Sequence, residues 1–352
     1  MSLALTTPPR RVLIIKPSSL GDVATTMPLL CDLRAEWPTT EFDWLIAPGL
    51  TDLLRGHYAI SELIPFERKQ LSGWPFRASA WASFTGLVRK LRARHYDIAI
   101  DAQGLARSAW LARLSGARVR IGFADARELA PLLYTHTAPA AAQALPAVAR
   151  MRRLRLPLDI TPADRCSYRV PVTAAALELA RAQTGHQSYI AVIPGARWNT
   201  KRWPTAKYVA LIQALANQAL QVVLLGSPDE RALCTEIAQQ ANAGVLNLAG
   251  QTDLAGMIAL LKLADLVIGN DSGPLHVAVA LGRPVVGIYG PTDPNYVGPY
   301  DQLDHVVRHP VPCHPCRRKE CDHHSCMNLL EFVTVWAKIE QVIMANNIRT
   351  GK

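Results

Sequence analysis

Three loops and one cysteine-rich tract hold the residues whose types and spacing could do chemistry. The first loop is KPSSLGDVATTMP (16–28). Gly21 permits a tight turn there, and Asp22 then falls at or near a helix N-terminus. Backbone N–H groups and the helix dipole favour an ionised carboxylate at such a position. Two roles stay open for Asp22: a structural cap, or a general base that the same dipole keeps charged near neutral pH. The loop contains no G-x-G-x-x-G and no Walker sequence, so it gives no reason to expect NAD or ATP hydrolysis.

The second loop is IPGARWNTKRWP (193–204). Pro194 and Gly195 make a turn, Arg197, Lys201 and Arg202 bring positive charge, and Trp203–Pro204 open the next helix. A basic loop aimed at a helix N-terminus suits a diphosphate, although a solvated basic turn would read the same way. The third loop is GNDSGPLHVAVALG (269–282). Ser272 or Asp271 caps the helix, Gly273 leaves room for close backbone approach, and Pro274 suits a first helical turn. Phosphate is the natural guest of the free N–H groups, with His276 as an added donor. Asp271 would repel phosphate and is better suited to accept from a sugar hydroxyl. A further strand end, GSPDER (226–231), offers Asp229 and Glu230 for ribose hydroxyls, and YGPTDP (289–294) closes the region. Together these loops describe a nucleotide-diphosphate cradle. Hydrolysis has less support: there are no paired metal-binding carboxylates, no H-E-x-x-H and no G-x-S-x-G.

The tract at the end contains Cys313, Cys316, Cys321 and Cys326 in the spacing C-x2-C-x4-C-x4-C, with His314, His323 and His324 among them. Four thiolates can close a tetrahedral structural zinc site, and iron is conceivable; reduced thiols in an irregular loop are the alternative. Cys31, Cys166 and Cys234 bring the total to seven. An odd count without an export signal argues against a disulfide framework.

These loops need strands to carry them. RVLIIK (11–16), FDWLIA (42–47) and DIAID (97–101) read as strands in the first half, and YIAVI (189–193), QVVLLG (221–226), DLVIG (265–269) and PVVGIY (284–289) in the second. Helical patterns at 22–36, 80–94, 205–218, 229–241 and 254–263 alternate with them. Such alternation predicts right-handed βαβ units, hence an α/β fold of parallel sheets with helices on both faces. A boundary is expected between about 158 and 188, giving a first doubly wound domain over 1–170 and a second over 186–328, facing each other across a cleft. An amphipathic helix over 329–346 lies in the remaining 329–352. In open α/β sheets ligands sit beyond the carboxyl ends of the strands, where the loops above fall.

At 352 residues the chain suits about two domains at roughly 150 residues each. With 49% hydrophobic and 19% charged residues it is too apolar for disorder. Every apolar run is interrupted before the ~18 residues of a membrane helix. The start, MSLALTTPPRR, is no secretory signal, so a cytoplasmic protein is expected, able to work at a membrane surface. The net charge is +10, and residues 1–170 carry +9 of it. That half should meet an anionic partner: nucleic acid, acidic lipid headgroups or an acidic sugar. A non-enzymatic nucleotide or nucleic-acid binder is therefore the reading from another class. Against it, the basic residues are not interleaved with aromatics, and the phosphate loops lie on the less basic half. Salt-sensitive binding to DNA or RNA without sugar transfer would favour it.

KPSSLGDV, YDIAIDAQGLARSAWLARLSGA (96–117), PGARWNTKRWP, GNDSGPLHVAVALGRPVVGIYGPTDP (269–294) and the CHPC segment together resemble the heptosyltransferases of glycosyltransferase family nine, from about residue 11 to 340. The order QGLARS, RIGF, ARELA, LLYTH is closer to the heptosyltransferase I branch, while PGARWNTKRWP leans towards heptosyltransferase II. The resemblance implies a GT-B fold with a C-terminal helix crossing back to the first domain. It implies inverting transfer, without a catalytic metal, of L-glycero-D-manno-heptose from ADP-heptose to Kdo of the lipopolysaccharide inner core. The acceptor would be anionic Kdo-lipid A, met peripherally at the inner membrane, and no nucleic acid is implied.

By the same resemblance Asp22 matches the general base, Lys201 the diphosphate contact, Asp271 a heptose-binding carboxylate, and Glu230 the ribose-binding acid. Ser272, Gly273 and His276 match the phosphate contacts at a helix start. Lys16, Arg68, Lys69, Arg107 and Arg127 are the expected acceptor contacts. Ala196 and Arg197 stand where the first branch often has two threonines, so charge would replace hydroxyl contacts. A distant branch that acts on proteins has a cysteine-held iron, which keeps a protein acceptor as an alternative.

Overall fold

The computed structural model describes residues 7–67, 78–141, 143, 145–162 and 167–349. The chain divides into two compact units, one ending at Pro171 and the other starting at Val172. The first contains β1 (Arg11–Ile15), β2 (Glu41–Ile46), β3 (Glu62–Pro65), β4 (Ile98–Asp101), β5 (Val119–Phe123) and β6 (His136–Ala138). The second contains β7 (Tyr189–Ile193), β8 (Gln221–Leu224), β9 (Leu246–Asn247), β10 (Leu266–Asn270), β11 (Val285–Tyr289) and β12 (Val306–Arg308).

Each unit holds one six-stranded sheet, ordered β3-β2-β1-β4-β5-β6 in the first and β12-β11-β10-β7-β8-β9 in the second. All the pairings are parallel. Both are the doubly wound order, which reverses direction between β1 and β4 and again between β7 and β10. At such a reversal the two neighbouring loops leave the sheet on opposite faces and open a crevice for ligand. Register puts the two loops level: Ile15 pairs with Asp101, and Ile193 with Gly269. Every residue of β4, β7, β10 and β11 is buried, which is why those strands read as apolar runs.

The strands missed from sequence are β3, β5, β6, β9 and β12. β3, β6, β9 and β12 have only two to four residues and lie at or beside sheet edges, too short for a pattern to show. Gly21 makes no turn; it is buried inside the helix Leu20–Glu36, whose N-cap is Ser19. The closing helix Phe332–Ala345 packs against β11, β12 and the helix Thr205–Asn217. Its Val335, Ile339, Val342 and Ile343 join the second unit's core with Ile190, Leu211 and Val286. Among the described residues no helix is long and apolar enough to cross a membrane.

Candidate active site

In the first unit the crevice is lined by the loop after β1 and the loop after β4. Asp22 occupies the third position of the helix Leu20–Glu36. Its Oδ2 accepts from the Ser19 N–H at 2.9 Å and from Ser19 Oγ at 2.7 Å. The cap leaves the carboxylate half-exposed, so its other oxygen can still meet a ligand. Lys16 Nζ lies 3.9 Å from Asp22 Oδ1 and donates to the Ala102 carbonyl at 3.2 Å. Lys16 is only 4% exposed, and burial pulls its ammonium below the usual lysine range while Asp22 and Asp101 oppose that shift. Lys16, expected as a positive acceptor contact, is thus buried at the crevice with its ammonium directed at Asp22 and the neighbouring loop.

That loop is held by Asp101, at the end of β4. The Gln103 and Gly104 N–H groups donate to its Oδ1 at 2.9 and 3.1 Å, and Ser108 Oγ and Tyr134 OH donate to its Oδ2 at 2.8 and 2.7 Å. Burial raises its pKa, against the lowering effect of these donors. Arg107 and Arg127 are exposed at this loop, and the Arg127 N–H donates to the Gly104 carbonyl at 3.2 Å. Gln103 Oε1 is buried without a partner, an acceptor that a substrate hydroxyl could satisfy. Arg68 and Lys69 lie outside the described residues.

In the second unit the crevice loops follow β7 and β10, and Asp271 sits between them, 5% exposed. Its Oδ2 accepts from Lys201 Nζ at 2.6 Å and from Thr292 Oγ1 at 2.6 Å, and its Oδ1 is 3.7 Å from His276 Nε2. Burial pushes this carboxyl up, but His276 and Lys201 outweigh burial and leave it at about 2. Lys201 also lies 4.7 Å from the centroid of the Trp198 ring. It is held on one side by a carboxylate and on the other by an aromatic face. Asp271 is consequently a partner for Lys201 and His276, and both its oxygens face them before any sugar arrives.

Ser272 is the N-cap residue of the helix Gly273–Ala280, yet its side chain makes no capping bond. Its Oγ is buried with no partner. Pro274 contributes no N–H, so Gly273 and Leu275 supply the free donors of the first turn. A hydroxyl, backbone N–H groups, an ammonium and an imidazole thus converge where an anion can be held. Glu230 accepts from the Ser227 N–H and Oγ at 2.8 and 3.0 Å. Its carboxylate packs on Gly195, where a Cβ would displace it, so glycine lets the loop after β7 lie directly against this acid. Arg197 is exposed and Ala196 buried, with the Ala196 carbonyl accepting from Arg202 Nε at 3.0 Å.

Sequence reading missed Asn270, Thr292 and Trp198. Asn270 is fully buried; its Nδ2 donates to the Pro194 carbonyl at 2.7 Å and its Oδ1 accepts from the Trp203 N–H at 3.2 Å. An amide ending an apolar strand was the available signal. The four cysteines of the tract differ in burial. Cys313 is exposed and Cys326 buried. Among the described residues no three His, Cys, Asp or Glu side chains gather to hold an ion. The thiols are near enough that, after burial, the charges of Cys316, Cys313 and Cys321 raise Cys326 to about 11.

A family model described as "Glycosyltransferase family 9 (heptosyltransferase)" matches residues 84–326. Lipopolysaccharide heptosyltransferase 1 of Pseudomonas aeruginosa is 33% identical over 326 residues, covering 89% of this chain and 88% of that protein. Its counterpart in Escherichia coli K12 is 32% identical over 310 residues, covering 85% and 94%. The solved structure of E. coli heptosyltransferase WaaC with ADP-2-deoxy-2-fluoro heptose superposes with a TM-score of 0.75 at 30% identity, over 94% of this chain and 99% of that one.

The low pKa of Asp271 fixes a pH signature. Its folded value, about 2, lies below the ordinary 3.8, so its stabilisation is full above about pH 4 and is lost as pH falls through 2. At ~1.4 kcal/mol per pKa unit this is about 2 kcal/mol. In urea titrations Asp271→Asn should be less stable than wild type by that order at pH 7, with the gap falling to about half at pH 3 and closing as pH drops through 2. A gap independent of pH would contradict the pairing.

Proposed function

The chain belongs to glycosyltransferase family 9, and we propose that it moves L-glycero-D-manno-heptose from ADP-heptose to Kdo of the lipopolysaccharide inner core. It is a GT-B enzyme of the heptosyltransferase family. The observation that supports this donor best is the buried, unpartnered Ser272 hydroxyl at a helix start beside the Lys201–Asp271 pair. A polar atom left unpaired in the protein costs about 1–3 kcal/mol, which a bound pyrophosphate removes.

In this mechanism Glu230 accepts from the ribose hydroxyls. Lys201, His276 and the N–H groups at the start of Gly273–Ala280 hold the pyrophosphate. Asp22 removes the proton from the attacking Kdo hydroxyl as its oxygen forms a bond to the anomeric carbon. The bond from that carbon to the ADP oxygen breaks on the opposite side, which inverts the configuration. Charge grows on the departing ADP, where the Lys201 ammonium, the His276 ring and the helix start take it up without a metal. Arg107 and Arg127 supply positive charge for the anionic acceptor.

With Kdo-lipid A as acceptor, the protein would work as a peripheral partner at the inner membrane. On the helix Ala106–Leu114 the residues Arg107, Trp110 and Arg113 form one exposed stripe, and Trp110 is 52% exposed. Leu129 and Leu132, on a segment packed against that helix, are 76% and 79% exposed. Tryptophan and leucine flanked by arginine suit an anionic headgroup layer. The protein should sediment with vesicles containing phosphatidylglycerol, and the triple variant Trp110→Ser, Leu129→Ser, Leu132→Ser should lose most of that binding. Equal sedimentation of the two proteins would remove this surface from the proposal.

The reaction is tested with ADP-heptose and Kdo-bearing lipid A, scored by mass spectrometry for one added heptose. A parallel acceptor that already carries the first heptose separates the two lipopolysaccharide branches, and a protein acceptor tests the third. Asp22→Ala should lower kcat by ~10²–10⁴ with ADP affinity within about twofold of wild type. Near-full turnover by that variant would exclude Asp22 as the base.

A further inference from the structure

The cysteine-rich tract takes no part in the steps above, yet it bonds to the loop after β7, which carries Lys201, and to the turn after β11, which carries Thr292. His324 Nε2 lies 2.7 Å from the Thr200 carbonyl. A carbonyl can only accept, so this nitrogen carries the proton. Thr200 Oγ1 donates in return to the Arg318 carbonyl at 2.8 Å. Thr200 is buried and directly precedes Lys201. On the other side His314 Nε2 lies 3.0 Å from the Thr292 carbonyl, while Arg308 Nη1 donates to His314 Nδ1 at 3.0 Å. This fixes His314 with its proton on Nε2, as a donor to Thr292, whose hydroxyl in turn donates to Asp271.

Three further contacts run the same way. The Arg317 N–H donates to the Pro291 carbonyl at 2.9 Å. A Cβ on Gly290 would come within 2.7 Å of Met327 Sδ and 3.1 Å of Cys326 Sγ, so the YGPTDP turn rests on this tract. The Lys319 ammonium lies 5.7 Å from the centroid of the Trp198 ring, the ring that also carries Lys201.

We infer that the segment 308–328 is a clasp for the donor site, in which His324 and His314 are positioning residues for Lys201 and for the Thr292–Asp271 contact. The inference rests on ADP-heptose being the donor, because it assigns the clasp to nucleotide binding. Neither histidine touches the reacting atoms. Each holds a backbone carbonyl one residue or one hydrogen bond away from a group that does the binding, so its loss should weaken donor affinity while leaving the chemical step nearly intact.

The test is calorimetric titration of ADP into wild type, His324→Phe, His314→Phe and the double variant, with His324→Gln and His314→Gln beside them. Phenylalanine keeps the ring volume and removes the donor; glutamine restores an N–H. The phenylalanine variants should each bind ADP about 3- to 10-fold more weakly. In transfer assays they should show a raised KM for ADP-heptose with kcat within about twofold of wild type, and glutamine should recover most of the loss. A measurement on the unaltered protein keeps the inference testable should a variant fail to fold: ADP should slow amide exchange in 313–328 as well as in 193–204. Wild-type ADP affinity in folded phenylalanine variants, or no protection of 313–328, overturns the clasp. Wild-type protein that does not bind ADP overturns the donor assignment, and the clasp falls with it.

Discussion

A carboxylate taken out of water must be paired, and at Asp271 the partners are the groups proposed to hold a diphosphate. Desolvation alone would neutralise the side chain. Lys201, Thr292 and His276 keep it ionised, and in doing so they are drawn to one point at the start of a helix. An ammonium on a four-carbon stem would otherwise spread over many rotamers, and fixing it in advance reduces the entropy lost on binding. The second unit's site is thus organised by an acid that does not itself suit the anion. Its charge is offset by the Lys201 ammonium, by the His276 ring and by the helix start, so the net field can still favour pyrophosphate.

The same construction recurs in the first unit with a different outcome. Both sheets reverse strand order at their centre, and both place chemistry in the two loops flanking the reversal. After β1 and β4 the arrangement is a half-exposed carboxylate, Asp22, beside a buried ammonium, Lys16, with a fully buried Asp101 pinning the backbone of the next loop. In the proposed reaction Asp22 would serve as the base and Lys201 would hold the anionic leaving group.

Much of this was legible from residue types. Strands buried on both faces must be apolar, so β1, β2, β4, β7, β8, β10 and β11 stood out, and the loops after them followed. The short edge strands did not, because two to four residues carry no period. Asp22, Lys201, Ser272 and His276 were visible as chemistry in loops. What sequence could not show was who pairs with whom. Lys16 read as a positive contact for the acceptor, and only the structure shows its ammonium reaching to Ala102 and Asp22. Gly21 read as a turn, although helix geometry begins one residue before it. Thr292 and the tract histidines lie far along the chain from the groups they hold, and long-range hydrogen bonds leave no local signal.

The central claim is that Asp271 works on the donor through Lys201. A double-mutant cycle in ADP affinity, using wild type, Asp271→Asn, Lys201→Met and the pair, measures that coupling directly. The two substitutions should be strongly non-additive, with an interaction energy of about 1–3 kcal/mol, because each removes the other's partner. Effects that simply add, within about 0.5 kcal/mol, would mean that the two side chains act independently and that the buried pair does not organise the site.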